Sequence, residues 1–451
     1  MNKRLSIAAK SVLGVGLISL FLTPFSAARE EMATTNAVLD LPFYDAPFNS
    51  RDGYTLPSMR QSLMLSKDYY EAGHLAIAGA CNGPIQTTFA LMGFDLLSVW
   101  LPGGASWTHE EWHRAVLSRN GIDSYDDVYN MVLFADSIAV SHVRDDDLIS
   151  LKREHPAEFV RLAEAGLEAE YELNFAIEKD CFFDGVPLHS TAVLWLNTAN
   201  SIYYVYICGT KEADDITEEA NAKDGVDVDK RDFIGLDFTA WVYDLFRPDE
   251  PYENRGTHPS GTGIDRYRGL PDLTSEEREY LRLQGRLQFI NLLDPFLLGF
   301  TEFPGHYPLS GESMAWNVNA RHYLTSFGYV IDANILLRQG DHKWAVIFHN
   351  YANHESFFPG LDVQMLRCPF HWAGRTLRWS PRVALWAQPE DQEFRTTHAS
   401  LGGMAALRVE IEAIRNLEPY VELSAKTDGW LAGDANLDSS YRGIVGMRVD
   451  L

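Results

Sequence analysis

The sequence predicts an α+β protein, an N-terminal, mainly helical domain followed by a C-terminal antiparallel β-barrel of about eight strands. Three observations predict it. From Met59 to about Asp180 the apolar residues recur at helical spacing. After about Gly311, strand-like runs follow one another with short turns between them. Several of those runs alternate strictly. Leu407, Val409, Ile411 and Ala413 share one face while Arg408, Glu410 and Glu412 share the other, and Val421, Leu423 and Ala425 oppose Glu422, Ser424 and Lys426.

The chain opens on an export signal, residues 1–28. Lys3, Arg4 and Lys10 are followed by an apolar run from Ser11 to Leu22 and by the small residues Ser26, Ala27 and Ala28. The run is short for a membrane anchor. Residues 29–57 read as an extended lead-in, and 58–305 as the helical domain. Residues 83–107 carry Asp95 as their one charge and lead into Trp107-Thr108-His109, with Ser106 or Thr108 as the expected N-cap of the next helix. Pro156, a favoured first-turn residue, starts a helix that continues to about Glu178. Residues 187–209 contain no Asp, Glu, Lys or Arg and suit either a buried helix or two strands. Residues 211–230 read as an acidic loop and 247–271 as a Pro- and Gly-rich loop. Thr274 with Glu277 forms a capping-box pattern at the head of another helix.

Eight strands are expected, at 315–323, 326–338, 342–352, 360–368, 376–387, 402–414, 417–427 and 441–450. Alternation of charged and apolar faces suits a soluble sheet with one wet side. It also suits a membrane barrel with a polar interior, of which eight strands is the smallest usual size. The second reading anchors residues 312–451 in a bacterial outer membrane and leaves the helical domain facing the periplasm. Membrane helices at 83–107, 187–209 and 288–301, in an inner membrane, are the architectural alternative.

Removal of residues 1–28 takes away three basic and no acidic residues, so the net charge of −25 becomes −28. So acidic a chain repels phosphate backbones, which argues against nucleic acid as a partner. Cys81, Cys181, Cys208 and Cys368 are scattered, with no CxxC pair to suggest a cysteine-bound metal.

The motif that carries chemistry is His109-Glu110-Glu111-Trp112-His113, an HExxH sequence. Residues four apart share a helix face, so both imidazoles reach one zinc ion, and Glu110 lies beside them as general base. A catalytic zinc takes three protein ligands, so a third is expected on another element. Glu170 is the candidate, 57 residues beyond His113. Its helix face carries Phe159, Ala163, Gly166, Asn174 and Ile177, apolar and small, while the face of Glu168 carries Arg161, Glu164 and Glu172, which suits solvent. An acid on an inward face needs a partner, and a metal is one.

Residues 170–174, Glu-Tyr-Glu-Leu-Asn, resemble the ExxxD element of the gluzincin peptidases of the HtpX and CAAX-protease type. The resemblance spans about residues 104–178. It implies a zinc metallopeptidase with one zinc per chain, ligated by His109, His113 and Glu170. The family's Asp falls on Asn174, which can orient a ligand but holds no charge. The resemblance implies a protein or peptide substrate in the bacterial envelope. It does not extend to the strand-rich third. Zinc would acidify a water and polarise the scissile carbonyl, with Glu110 taking the water's proton. His142 and His189 are candidate oxyanion helpers. His349 and His354 read as a strand end and polar loop, and Asp145-Asp146-Asp147 as a helix start. Two other functions compete, a non-enzymatic barrel with an incidental HExxH and a metal-dependent hydrolase of a non-protein envelope substrate.

Overall fold

The structure is a computed structural model that describes residues 36–52, 56–135, 138–306, 313–372, 374–414 and 416–451. Residues 1–28, read above as an export signal, lie outside the described residues. Nine helices of ten residues or more are present among them: α1 (Met59–Ala80), α2 (Pro84–Ser98), α3 (Ala105–Arg119), α4 (Asp145–Glu154), α5 (Pro156–Asp184), α6 (Ala192–Cys208), α7 (Lys211–Lys223), α8 (Asp237–Phe246) and α9 (Ser275–Leu287).

Helix α5 is the axis of the molecule. Pro156 begins it and Gly185, at φ +68°, ends it after 29 residues. Its first half packs against α3 and α8, and its second half against strand β5. Helix α9 has the expected capping box, the Thr274 hydroxyl accepting from Glu277 N–H and the Glu277 carboxylate accepting from Thr274 N–H. Residues 192–208 resolve as a helix. The stretch expected as an acidic loop holds α7, whose N-cap Thr210 accepts from Glu212 N–H. Its charges lie on a solvated face, the alternative that polarity alone does not distinguish from a loop.

All eight expected strands form, within a larger sheet. Strand β1 (Val38–Ala46) comes from the lead-in. A two-residue pair, β2 (Tyr125–Asp126) and β3 (Val140–Ser141), stands apart. The main sheet continues through β4 (Phe303–His306), β5 (Ser313–Thr325), β6 (Gly328–Gln339), β7 (His342–Ala352), β8 (Phe357–Met365), β9 (Cys368–Trp372), β10 (Arg375–Pro389), β11 (Ala399–Ile411), β12 (Leu417–Lys426) and β13 (Ser440–Asp450). Its eleven strands run in the order β1-β13-β12-β11-β10-β8-β7-β6-β5-β4, with β9 paired to β10.

The sheet is not closed into a barrel, which corrects the expected architecture, and the reason lies at its two edges. On the free edge of β1 the backbone bonds to helix α1 instead of a strand. Val38 N–H donates to Glu71 (3.3 Å), Asp40 N–H to Asp68 (2.9 Å), and Lys67 Nζ donates to Val38 C=O (2.8 Å). At the other end, Ala320 N–H of β5 donates to Leu293 C=O (3.1 Å) and His322 N–H to the Asn291 side chain (2.6 Å). The helical part is thus a wedge between the edges, and side chains complete the backbone bonding that a closing strand pair would supply.

The boundary near 305–312 does not separate two cores. One buried cluster runs from Met59, Trp112 and Leu162 through Tyr323 and Trp386 to Trp430. No helix among the described residues is long and apolar enough to cross a membrane. None of the four cysteines is paired in a disulfide.

Candidate metal centre

Helix α3 begins at Ala105 with Gly104 as N-cap, not at Ser106 or Thr108. The chain turns sharply there, and a Cβ on Gly104 would lie 1.8 Å from Ser98 C=O. Starting the helix at Ala105 turns the face of His109 and His113 toward α5, where Gly166 lets the helices meet closely. A Cβ on Gly166 would stand 2.3 Å from His109 Nε2 and 2.4 Å from His113 Nε2.

Both imidazoles are fixed from behind. His109 Nδ1 lies 3.1 Å from the Glu170 carboxylate, and His113 Nδ1 lies 2.6 Å from Leu162 C=O. Neither acceptor can donate, so each Nδ1 carries a hydrogen and each Nε2 faces forward, offering a lone pair in the neutral form. Both face the carboxylate of Asp237 in the first turn of α8, which lies 3.4 Å from His109 Nε2 and 3.6 Å from His113 Nε2. One donor atom from each of His109, His113 and Asp237 falls within 4.8 Å of the others, and all three residues are buried. This group can hold a metal ion. Imidazole nitrogen and carboxylate oxygen are the usual donors to a divalent first-row metal, and the locked tautomers are those such a metal requires.

The carboxylate that faces both Nε2 atoms is that of Asp237, whereas Glu170 faces His109 Nδ1. Glu170 spends its oxygens on His109, on Asn200 Nδ2 (2.8 Å) and on the Ser201 hydroxyl. It stands behind the imidazole and orients it. Asn174, one turn on, touches neither imidazole. Its amide donates to Leu194 C=O (3.0 Å) and Thr198 (3.1 Å) and accepts from Asn197 (2.9 Å). It ties α5 to α6, the helix that carries Asn200 and Ser201. Glu170→Ala is expected to weaken metal affinity by about 10- to 100-fold, the cost typical of losing a partner that orients a ligand. His113→Ala is expected to abolish retention. Chelator competition separates the two, and equal loss in both would make Glu170 a direct ligand.

The acids around the centre are strongly coupled to it. Burial works against the Asp237 carboxylate, yet the two facing imidazoles hold it at about 2. Burial disfavours the His109 cation, but its hydrogen bonds to Asp237 and Glu170 outweigh this and raise its pKa well above the usual value. Burial pushes the Glu110 carboxyl well up, opposed by His109. Its charge interacts with those of His109 and Asp237, so this buried acid is electrostatically tied to the centre. Glu111 has a structural task, binding Arg114 and accepting from the Tyr129 hydroxyl (2.9 Å).

The face of Glu168 is buried, not solvated. Arg161 bridges Glu164 and Glu168, and the 430–434 loop covers them, Trp430 Nε1 donating to Glu164 (2.8 Å) and Gly433 N–H to Glu168 (2.7 Å). A segment more than 250 residues away in the chain supplies those partners. His142 and His189 are not at the centre. His142 packs on Tyr125 with its N–H on Asp229 C=O, and His189 lines a small cavity with His74 and Cys181. His349 bonds Asp332 (2.7 Å) on the inner side of the sheet, and Asp145 opens α4 while binding Arg266 (2.7 Å). Asp237 itself has no local signature, since an Asp in a helix's first turn is the ordinary companion of the helix dipole.

Comparison with models of known families, with curated proteins and with solved structures gives no match for this chain.

Proposed function

We propose that the protein is a metal-dependent hydrolase, a zinc metallopeptidase with one ion per chain held by His109, His113 and Asp237. The observation that carries this reading is the convergence of two orientation-locked imidazoles and a carboxylate, with the charge of the buried acid Glu110 coupled to His109 and Asp237. Zinc is favoured because two His and one carboxylate is a ligand set that catalytic zinc takes while keeping a position open. When bound, such an ion is a Lewis acid that acidifies water and polarises a carbonyl.

The chain's own residues supply the rest. Glu170 and Leu162 C=O keep both Nε2 atoms forward. Gly166 keeps the space before them clear. Glu110 takes a proton from the attacking water and returns it to the leaving amine. Likeness to HExxH…ExxxD peptidases favours a protein or peptide substrate, and the export-signal pattern of residues 1–28 favours the bacterial envelope. Asp237 in place of the family's Glu means that the likeness extends to His109, Glu110 and His113 but not to the third ligand.

Metal content by mass spectrometry tests the reading. About one zinc per chain is expected in the parent and none in His113→Ala or Asp237→Ala. Glu110→Gln is expected to keep its metal and lose roughly 10²- to 10⁴-fold in peptide hydrolysis, the range for a positioned general base. A parent without metal, under conditions that keep a known zinc peptidase loaded, would refute the centre. Undiminished hydrolysis in Glu110→Gln would refute the base.

A further inference from the structure

The main sheet is inside out relative to a soluble one. Its inner face carries charge. Arg408 pairs with Asp40, Arg442 with Asp45, Arg367 with Glu410 and Glu418, and Lys343 and Arg448 with Asp184 at the end of α5. Of these, Asp40, Asp184, Arg367, Arg408, Glu410, Arg442 and Arg448 line a cavity of about 200 Å³. Its outer face is apolar and bare. Phe348, Leu361, Leu385, Leu407, Leu423 and Val445 all point outward from consecutive strands, with Leu385 62 % and Leu423 63 % exposed. They meet across the ladders, Leu361 opposite Phe348 and Leu385, and Leu407 opposite Leu423.

The apolar surface does not stop at the sheet. Elements of the wedge follow one another from edge to edge, α1 against β1, α2 against α1 and α6, and α6 against the 288–298 turns that cover β5. They expose Leu65, Ile85, Phe89, Leu293, Leu298 and Phe300. Sheet and wedge together make a closed wall, apolar outside and charged within.

We propose that the acyl chains of a phospholipid bilayer cover this wall. A second copy of the chain would bury one sector of it, whereas the exposed apolar residues lie on the sheet and on the wedge at both of its edges. Strand addition is blocked, because α1 and the 288–298 turns already bond the edge backbone. That same bonding meets the demand a bilayer makes, that backbone groups at membrane depth find partners within the protein. The inference is independent of the metal centre.

The test uses the full chain, purified in detergent and mixed with vesicles of phosphatidylethanolamine and phosphatidylglycerol, with and without bromine on the acyl chains. Trp372 and Trp379 face outward. The chain is expected to float with the vesicles and to lose tryptophan fluorescence to the brominated lipid, with that loss reduced in Trp372→Phe/Trp379→Phe. Leu385→Glu/Leu423→Glu is expected to float less while its circular dichroism is retained. If that variant misfolds, quenching in the parent decides. A parent that is monodisperse without detergent and stays at the bottom of the gradient overturns the proposal. So does a discrete dimer in buffer, and so does flotation without quenching, which marks adsorption to headgroups.

Discussion

Gly166→Ala is expected to abolish metal retention without unfolding the protein. The added methyl would stand 2.3 and 2.4 Å from the Nε2 atoms of His109 and His113, close to the separation of about 2.0–2.1 Å at which zinc binds imidazole nitrogen. It would take the space in front of both nitrogens, so the methyl and an ion compete for one place. The loss should exceed the roughly 10- to 100-fold expected when an orienting partner is removed. Ala is the better helix former by about 1 kcal/mol, so α5 gains locally while the helices are pushed apart. Metal content and thermal melting, measured together, separate these effects. A melting curve near the parent's with no metal is the expected pair. Full metal at parental affinity would mean that α5 and α3 do not meet where Gly166 brings them.

The second large effect is on stability. Arg321 of β5 is fully buried and pairs with Glu178 of α5 and with Asp294, and Asn319 Nδ2 also donates to Glu178 (2.8 Å). This cluster fastens the axial helix to the sheet. Arg321→Met leaves two buried carboxylates without their cation, and a loss of about 3–5 kcal/mol is expected from an orphaned buried charge. The measurement is the denaturant midpoint by circular dichroism. Arg321→Met/Glu178→Gln/Asp294→Asn should recover part of the loss, because the orphaned charges go with it. A single variant as stable as the parent would show that packing, not the ion cluster, holds α5 to β5. Burial pushes the Glu178 carboxyl well up against the pull of Arg321, so removing the cation should raise its proton affinity further.

Much of the helical part was legible because its signals are local. Pro156, the Thr274–Glu277 capping box and the i, i+4 spacing of His109 and His113 act within one or two turns of helix. The eight alternating runs were legible for the same reason, since a strand's faces follow from its own residues. The inward face of α5 that carries Glu170 was legible, because its small and apolar character is a property of α5 alone. The role of Glu170 could not be read there. Whether a carboxylate meets an imidazole at Nδ1 or at Nε2 depends on how two helices pack.

The sequence by itself determined the α+β class, the eight strands after Gly311, and the pairing of His109 and His113 on one helical face beside Glu110. Tertiary structure alone decided the rest. It brought Asp237 from α8 to the imidazoles and turned Glu170 into their support. It buried Arg161, Glu164 and Glu168 beneath Trp430 and Gly433. It set β1 against β13 and left the sheet open for the helical wedge. The physical reason is common to all of these. Periodicity and capping are written within a few residues, whereas a ligand set, the burial of a charge and the closure of a sheet depend on backbone and side chains brought together from distant segments.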